Sequence, residues 1–181
     1  MKIIWHKEPV IETDRLILRP LTVADAKAVL ACCSDERVNK YMSYTAYNDI
    51  NIALAWIKST QFEKNEWNWG FVLKENGELI GSGSIGKDEF LNGYWGMGYN
   101  IRYDLWNHGY TTEAMKAIIE FAVNELGVNK ICACHAIGNP ASGRVMEKCG
   151  LKFHHLGEYT KLDKSQTFKC KYYTMETDNK F

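Results

Sequence analysis

The chain has 181 residues, 46% of them hydrophobic and 24% charged, with 22 basic residues balancing 22 acidic ones. That length carries one sizeable core, and a formal charge of zero disfavours a dedicated binder of nucleic acid or of anionic membrane. Met1 to Val10 has no long apolar run and contains Lys2, His6, Lys7 and Glu8, which predicts neither signal peptide nor membrane span and hence a cytoplasmic protein.

Arg15 to Arg19 reads as a first strand ended by Pro20, after which Thr22 caps a helix that has Asp25 in its first turn and the small residues Ala24, Ala28 and Ala31. A second helix is expected from Asn48 or Asp49, because Ile50, Ala53, Leu54 and Ile57 fall on one face. The intervening segment, Arg37 to Tyr47, is aromatic and polar by turns, and reads either as the wall of a substrate pocket or as a packed loop. Trp69, Phe71 and Leu73 alternate toward one face, Asn76-Gly77 is a hairpin signal, and Leu79 to Ile85 is the return strand. Tyr94 to Arg102 makes another strand. Met115, Ile118, Ile119, Ala122 and Leu126 then form the apolar stripe of a helix stopped by Gly127. Lys130 to Ala136 is a short strand, Pro140 to Cys149 a helix closed by Gly150, and Leu151 to Tyr159 and Gln166 to Met175 are the last strands.

This order predicts a single domain, residues 1–181, of the α/β (α+β) class: a mixed, mostly antiparallel sheet with helices on both faces. Ligands of such sheets gather beside the carboxyl ends of strands that feed helices, here near Arg102 and Ala136. The cysteines at 32, 33, 132, 134, 149 and 170 form no CxxC pair and fit reduced thiols. Cys132 and Cys134 alternate on one strand face and read as small core residues rather than, with His135, as metal ligands, so no metal is expected.

The stretch Trp106 to Ala114 joins a strand to the long helix. Gly109 lets the chain turn there, and the backbone N–H groups from Asn107 to Thr112 stand at the positive end of the helix dipole, an arrangement suited to an anion. A glycine that merely makes the corner is the competing reading. Thr111 and Thr112 are donors to the anion or ordinary caps, and His108 meets a phosphate or faces water.

Three segments carry a resemblance: Glu12-Thr13-Asp14-Arg15-Leu16-Ile17-Leu18-Arg19; Gly98-Tyr99-Asn100-Ile101 running into Trp106-Asn107-His108-Gly109-Tyr110-Thr111-Thr112-Glu113-Ala114; and Asn139-Pro140-Ala141-Ser142 through Glu147-Lys148-Cys149-Gly150-Leu151. In this order and spacing the chain resembles the GNAT superfamily of N-acetyltransferases, and within it the branch of ribosomal-protein alanine and serine N-acetyltransferases. The resemblance implies acetyl-CoA as co-substrate, its pyrophosphate held by Asn107, His108, Gly109, Tyr110, Thr111 and Thr112. It implies a Tyr99 N–H that polarises the thioester carbonyl, an Ile101 contact to the pantetheine arm, and Asn139 and Ser142 reaching the arm and the sulfur. A homodimer follows by family analogy.

There are departures from the pattern. Met146 stands where many relatives have a tyrosine that protonates the leaving thiolate, which leaves Ser142 for that role. Trp106 replaces an arginine or glutamine, Thr111 a small residue, and Gly96 a carboxylate suited to a general base. Glu89, Glu113 and Glu158 remain as bases, with Glu113 also spaced to pair with Lys116 along the helix. A weak base favours an α-amine: with a pKa of about 7.8, about one in seven is neutral at pH 7, against about one in 2,500 for a lysine at about 10.4. The expected reaction is direct attack by a primary amine on acetyl-CoA, the amine being a protein N-terminus. A small amine such as a polyamine or an aminoglycoside is the second reading, a non-catalytic acyl-CoA-binding regulator the third, and an acetyl-enzyme on Cys134 the rival route.

Overall fold

Alternation of apolar residues decides how the sheet is covered. In the computed structural model, which describes residues 8–88 and 91–177, Phe71 and Val72 are neighbours in one strand, yet they belong to cores on opposite faces. The strands are β1 (Ile11–Glu12), β2 (Leu16–Arg19), β3 (Glu66–Leu73), β4 (Leu79–Lys87), β5 (Trp95–Ile101), β6 (Lys130–Ala136), β7 (Lys152–Thr160) and β8 (Thr167–Glu176). They form one sheet in the order β1-β2-β3-β4-β5-β6-β8-β7, antiparallel at every junction except β5–β6. The helices are α1 (Ala26–Cys33), α2 (Glu36–Asn39), α3 (Ile50–Thr60), α4 (Tyr110–Leu126) and α5 (Pro140–Lys148).

On one face Met115, Ile118 and Ala122 of α4 and Met146 of α5 pack with Leu16, Leu18, Trp69, Phe71 and Ile80. On the other, Val29 and Cys33 of α1 and Ala53 and Ile57 of α3 meet Leu21, Val72 and Leu79. The predicted layers are therefore present, with two additions. Asp35 accepts from the Arg37 amide at 2.9 Å and starts the single turn of α2 inside the Arg37–Tyr47 segment, and Ile11–Glu12 adds a short edge strand opposite Leu18 and Ile17. Asp25 also does more than stand in a first turn. It is 8% exposed and accepts from both Arg19 guanidinium nitrogens at 2.8 Å and from the Thr22 amide at 2.7 Å. No helix among the described residues is long and apolar enough to cross a membrane. Most of Met1 to Val10 lies outside the described residues.

Candidate active site

A parallel strand pair that separates leaves a gap, and this sheet has one. β5 and β6 are paired only at Trp95↔Ile131 and Gly96↔Cys132, after which β6 follows β8, its antiparallel partner along its whole length. The resulting cleft has a volume of about 1090 Å³, at the upper end of the roughly 300–1,000 Å³ usual for ligand and cofactor sites.

Strand geometry tells which amides of β5 face that cleft. Arg102 donates its N–H to the Ile80 carbonyl of β4 at 2.8 Å, so by two-residue alternation the amides of Asn100 and Gly98 also turn toward β4. Those of Tyr99 and Ile101 turn the other way, into the cleft. The Ile101 carbonyl on that side accepts from the Trp106 indole at 3.1 Å, so Trp106 pins the end of the strand.

The turn that follows is built by two left-handed residues, Asn107 at φ 64° and Gly109 at φ 83°. Gly109 is the N-cap of α4 and has no side chain, so the first-turn amides of α4 receive no side-chain cap. Those amides border the cleft. His108 donates from Nδ1 to the Trp106 carbonyl at 2.9 Å and lays its ring parallel to Tyr110, and Thr111 is buried at the cleft wall. Arg15 braces this turn from β2: its Nη1 donates to the His108 carbonyl at 3.0 Å and its guanidinium lies 4.3 Å from the Tyr110 ring centroid.

Glu113 anchors the brace. Its Oε1 accepts from the Thr13 hydroxyl at 2.6 Å and the Arg15 amide at 2.8 Å, and its Oε2 from Arg15 Nε and Nη2, both at 2.7 Å. Burial pushes the Glu113 carboxyl up, but the hydrogen bonds from Thr13 and Arg15 outweigh it and hold it below the ordinary value. The expected Glu113–Lys116 pairing is thus corrected: the carboxylate turns to the strand, where it meets several donors rather than one exposed ammonium.

On the far wall Asn139 caps α5, its side chain accepting from the Ser142 amide at 3.4 Å. The Tyr99 hydroxyl crosses the cleft floor to Ser142, 2.9 Å from both its carbonyl and its Oγ. With the phenol donating to the carbonyl, Ser142 Oγ donates to the phenol. Met146 is buried in the core beneath. The phenol, unseen in the sequence as a partner of Ser142, therefore stands beside the residue to which the missing tyrosine's role had passed. Burial drives its pKa well up, so it stays protonated.

Val38, Tyr41, Met42 and Ser43 line the cleft, so the Arg37–Tyr47 segment is a wall rather than a loop packed elsewhere. The β7–β8 tip locks it in place, Tyr159 donating its hydroxyl to the Tyr41 carbonyl at 2.6 Å and Leu162 its amide to the Ser43 carbonyl at 2.8 Å. Of the three glutamates considered as bases, Glu158 borders the cleft, Glu113 is committed to Arg15, and Glu89 lies outside the described residues. Asp88, which the sequence did not single out, lines the cleft as well. Cys134 also faces it, its thiol pushed up to about 12 by burial first and then by Cys170. No group of three His, Cys, Asp or Glu residues suited to a metal ion occurs among the described residues.

A family model described as an acetyltransferase (GNAT) domain matches residues 15–152. A Bacillus subtilis (strain 168) protein named as the uncharacterized N-acetyltransferase YoaA is 31% identical over 147 residues, 80% of this chain and 83% of that one. Among solved structures, a putative ribosomal-protein-serine acetyltransferase from Vibrio cholerae superposes with a TM-score of 0.77 at 19% identity, over 93% of this chain and 98% of that one. The spermidine N-acetyltransferase of Vibrio cholerae, in complex with CoA and spermine, gives 0.77 at 14% identity over 91% and 96%. At those identities the likeness is one of fold.

Proposed function

This chain belongs to the GNAT acetyltransferase family and is an N-acetyltransferase, and from that premise we propose that it moves the acetyl group of acetyl-CoA directly onto the α-amine of a protein N-terminus in the cytoplasm. The observation that carries the cofactor half of the reading is the juxtaposition of α4, whose first-turn amides have no side-chain cap, with the cleft-facing amides of Tyr99 and Ile101. The backbone of Asn107, His108, Gly109, Tyr110, Thr111 and Thr112 holds the pyrophosphate, where helix dipole and N–H groups favour an anion. The Ile101 and Asn139 walls hold the pantetheine arm. Acetyl-CoA supplies an acetyl group already activated as a thioester.

The Tyr99 N–H donates to the acyl carbonyl oxygen as negative charge grows on it, a contribution typically of about 3 kcal/mol. The neutral nitrogen attacks the carbonyl carbon, the C–N bond forms and the C–S bond breaks. Ser142, in line with the Tyr99 phenol, gives the departing sulfur its proton. Direct transfer suits the thiols: with Cys134 held near 12, only roughly one in 100,000 is thiolate at pH 7.

The acceptor end favours one amine over a polycation, since Asp88 and Glu158 are carboxylates of the lining while Arg144 and Lys148 stand on its other wall. The test is the rate of thiol release from acetyl-CoA with peptides bearing free N-termini, the same peptides N-terminally blocked but carrying lysine, and spermidine. Only the free N-termini should react, with kcat/KM rising with pH toward the α-amine pKa of about 7.8. Equal rates on the blocked peptides, or turnover of spermidine alone, would overturn the assignment of acceptor.

A further inference from the structure

The place where β5 and β6 part is also where a carboxylate is concentrated. Gly96 is the last residue of β5 paired with β6, opposite Cys132. A Cβ on Gly96 would stand 2.7 Å from Asp88 Oδ2 and 3.6 Å from Asp88 Cγ. The Asp88 carboxylate thus lies over the bare face of Gly96, in the volume that a side chain at position 96 would otherwise take. Asp88 is held there by its own turn: its amide donates to the Tyr94 carbonyl at 3.0 Å and its Oδ1 accepts from the Leu91 amide at 2.6 Å. These bonds fix the backbone and one oxygen, and direct Oδ2 over the glycine.

Its field is felt around the cleft. The Cys132 thiol of β6 is driven up by burial and then by Asp88, and Asp88 also raises Cys134 and the Tyr172 phenol of β8. These groups are therefore neutral at pH 7, and Asp88 brings the negative charge to this end. Glu158 on β7 borders the cleft too, but is exposed.

Resting on the amine-acetylation reading above, we propose that Asp88 is the general base of the reaction, receiving the acceptor's proton at Oδ2 across Gly96. Attack turns the nitrogen cationic as the C–N bond forms, which acidifies its remaining protons. One passes to Asp88 and from there to solvent, while the sulfur released by C–S cleavage takes up the proton given by Ser142. Charge and atoms balance, since one proton leaves nitrogen for every one that sulfur gains. The carboxylate also draws the ammonium form of the amine into the cleft. The bare glycine is what leaves the nitrogen room to approach.

Asp88→Asn keeps shape and removes the charge. It should lower kcat/KM for the amine about 100-fold at pH 7, with the deficit narrowing as pH rises, while the acetyl-CoA dissociation constant measured by calorimetry stays within about twofold. Asp88→Ala combined with Gly96→Asp returns a carboxylate to the same volume, and should recover at least about tenfold over Asp88→Ala alone. Wild-type rate and pH profile in Asp88→Asn would overturn the assignment, as would an equal deficit at every pH without recovery in the double variant. Failure of wild-type protein to bind acetyl-CoA would instead sink the reading on which the assignment rests.

Discussion

Replacing Glu113 by alanine tests whether the first strand is wired to the cofactor turn. Four donors converge on this carboxylate: the Thr13 hydroxyl, the Arg15 amide, and Arg15 Nε and Nη2. A hydrogen bond to a charged group is worth about 1.5–3 kcal/mol net in a buried setting. The Arg15 side chain is 46% exposed, which reduces its ion pair to about 0.5–1 kcal/mol. Allowing for non-additivity, Glu113→Ala should cost about 2–3 kcal/mol, or about 5–10 °C in Tm for a chain of this length. Glu113→Gln keeps an acceptor for Thr13 and the Arg15 amide and should cost about half.

Both variants release Arg15 from the His108 carbonyl and the Tyr110 ring, so KM for acetyl-CoA should rise about fivefold, equivalent to about 1 kcal/mol of lost ordering. The sign of the pH effect follows from the depressed carboxyl: the folded pKa lies below the ordinary 4.5, so the stabilisation is complete above that value and is lost as pH falls through the folded one. Wild type and Glu113→Gln should therefore converge in stability under acid. Thermal unfolding at several pH values, with thiol-release kinetics at neutral pH, measures both effects. Alanine at 113 with unchanged Tm and KM would refute the idea that Thr13 and Arg15 hold the turn.

Tyr99→Phe leaves the Ser142 carbonyl and Oγ without the phenol, and should lower kcat with little change in KM for acetyl-CoA; a variant with wild-type kcat would remove Tyr99 from the proton path. Gly143→Ala places a Cβ 2.5 Å from Nε2 of His135, a ring 6% exposed and tied through Nδ1 to the Ala136 carbonyl. It should shift the urea midpoint by the equivalent of about 1–3 kcal/mol, whereas an unchanged midpoint would mean that the ring moves aside freely. Cys134→Ala should keep activity within about twofold, because a thiol held near 12 is a poor nucleophile at neutral pH. Folded but inactive protein would point to an acetyl-cysteine, and mass spectrometry of the acetyl-CoA-treated wild type would then show the adduct.

The sequence by itself determined the elements and the layers, because both rest on local periodicity: Phe71 and Val72 must face opposite ways in a strand, and Met115, Ile118 and Ala122 must share a helix face. It also located the turn before α4, since Gly109 before a long amphipathic helix is a local signal, and the left-handed φ at that glycine is what the signal required. What it left undecided were relations across the sheet. Glu113 had Lys116 as its local partner, and only the antiparallel packing of β2 brought Arg15 and Thr13 to it. Likewise nothing in the order of residues puts the Tyr99 phenol on Ser142, the Tyr41 wall under Tyr159, or the Asp88 carboxylate over Gly96. Those contacts arise where β5 and β6 diverge, and the divergence depends on pairing between strands far apart in the chain, which no short-range pattern of side chains encodes.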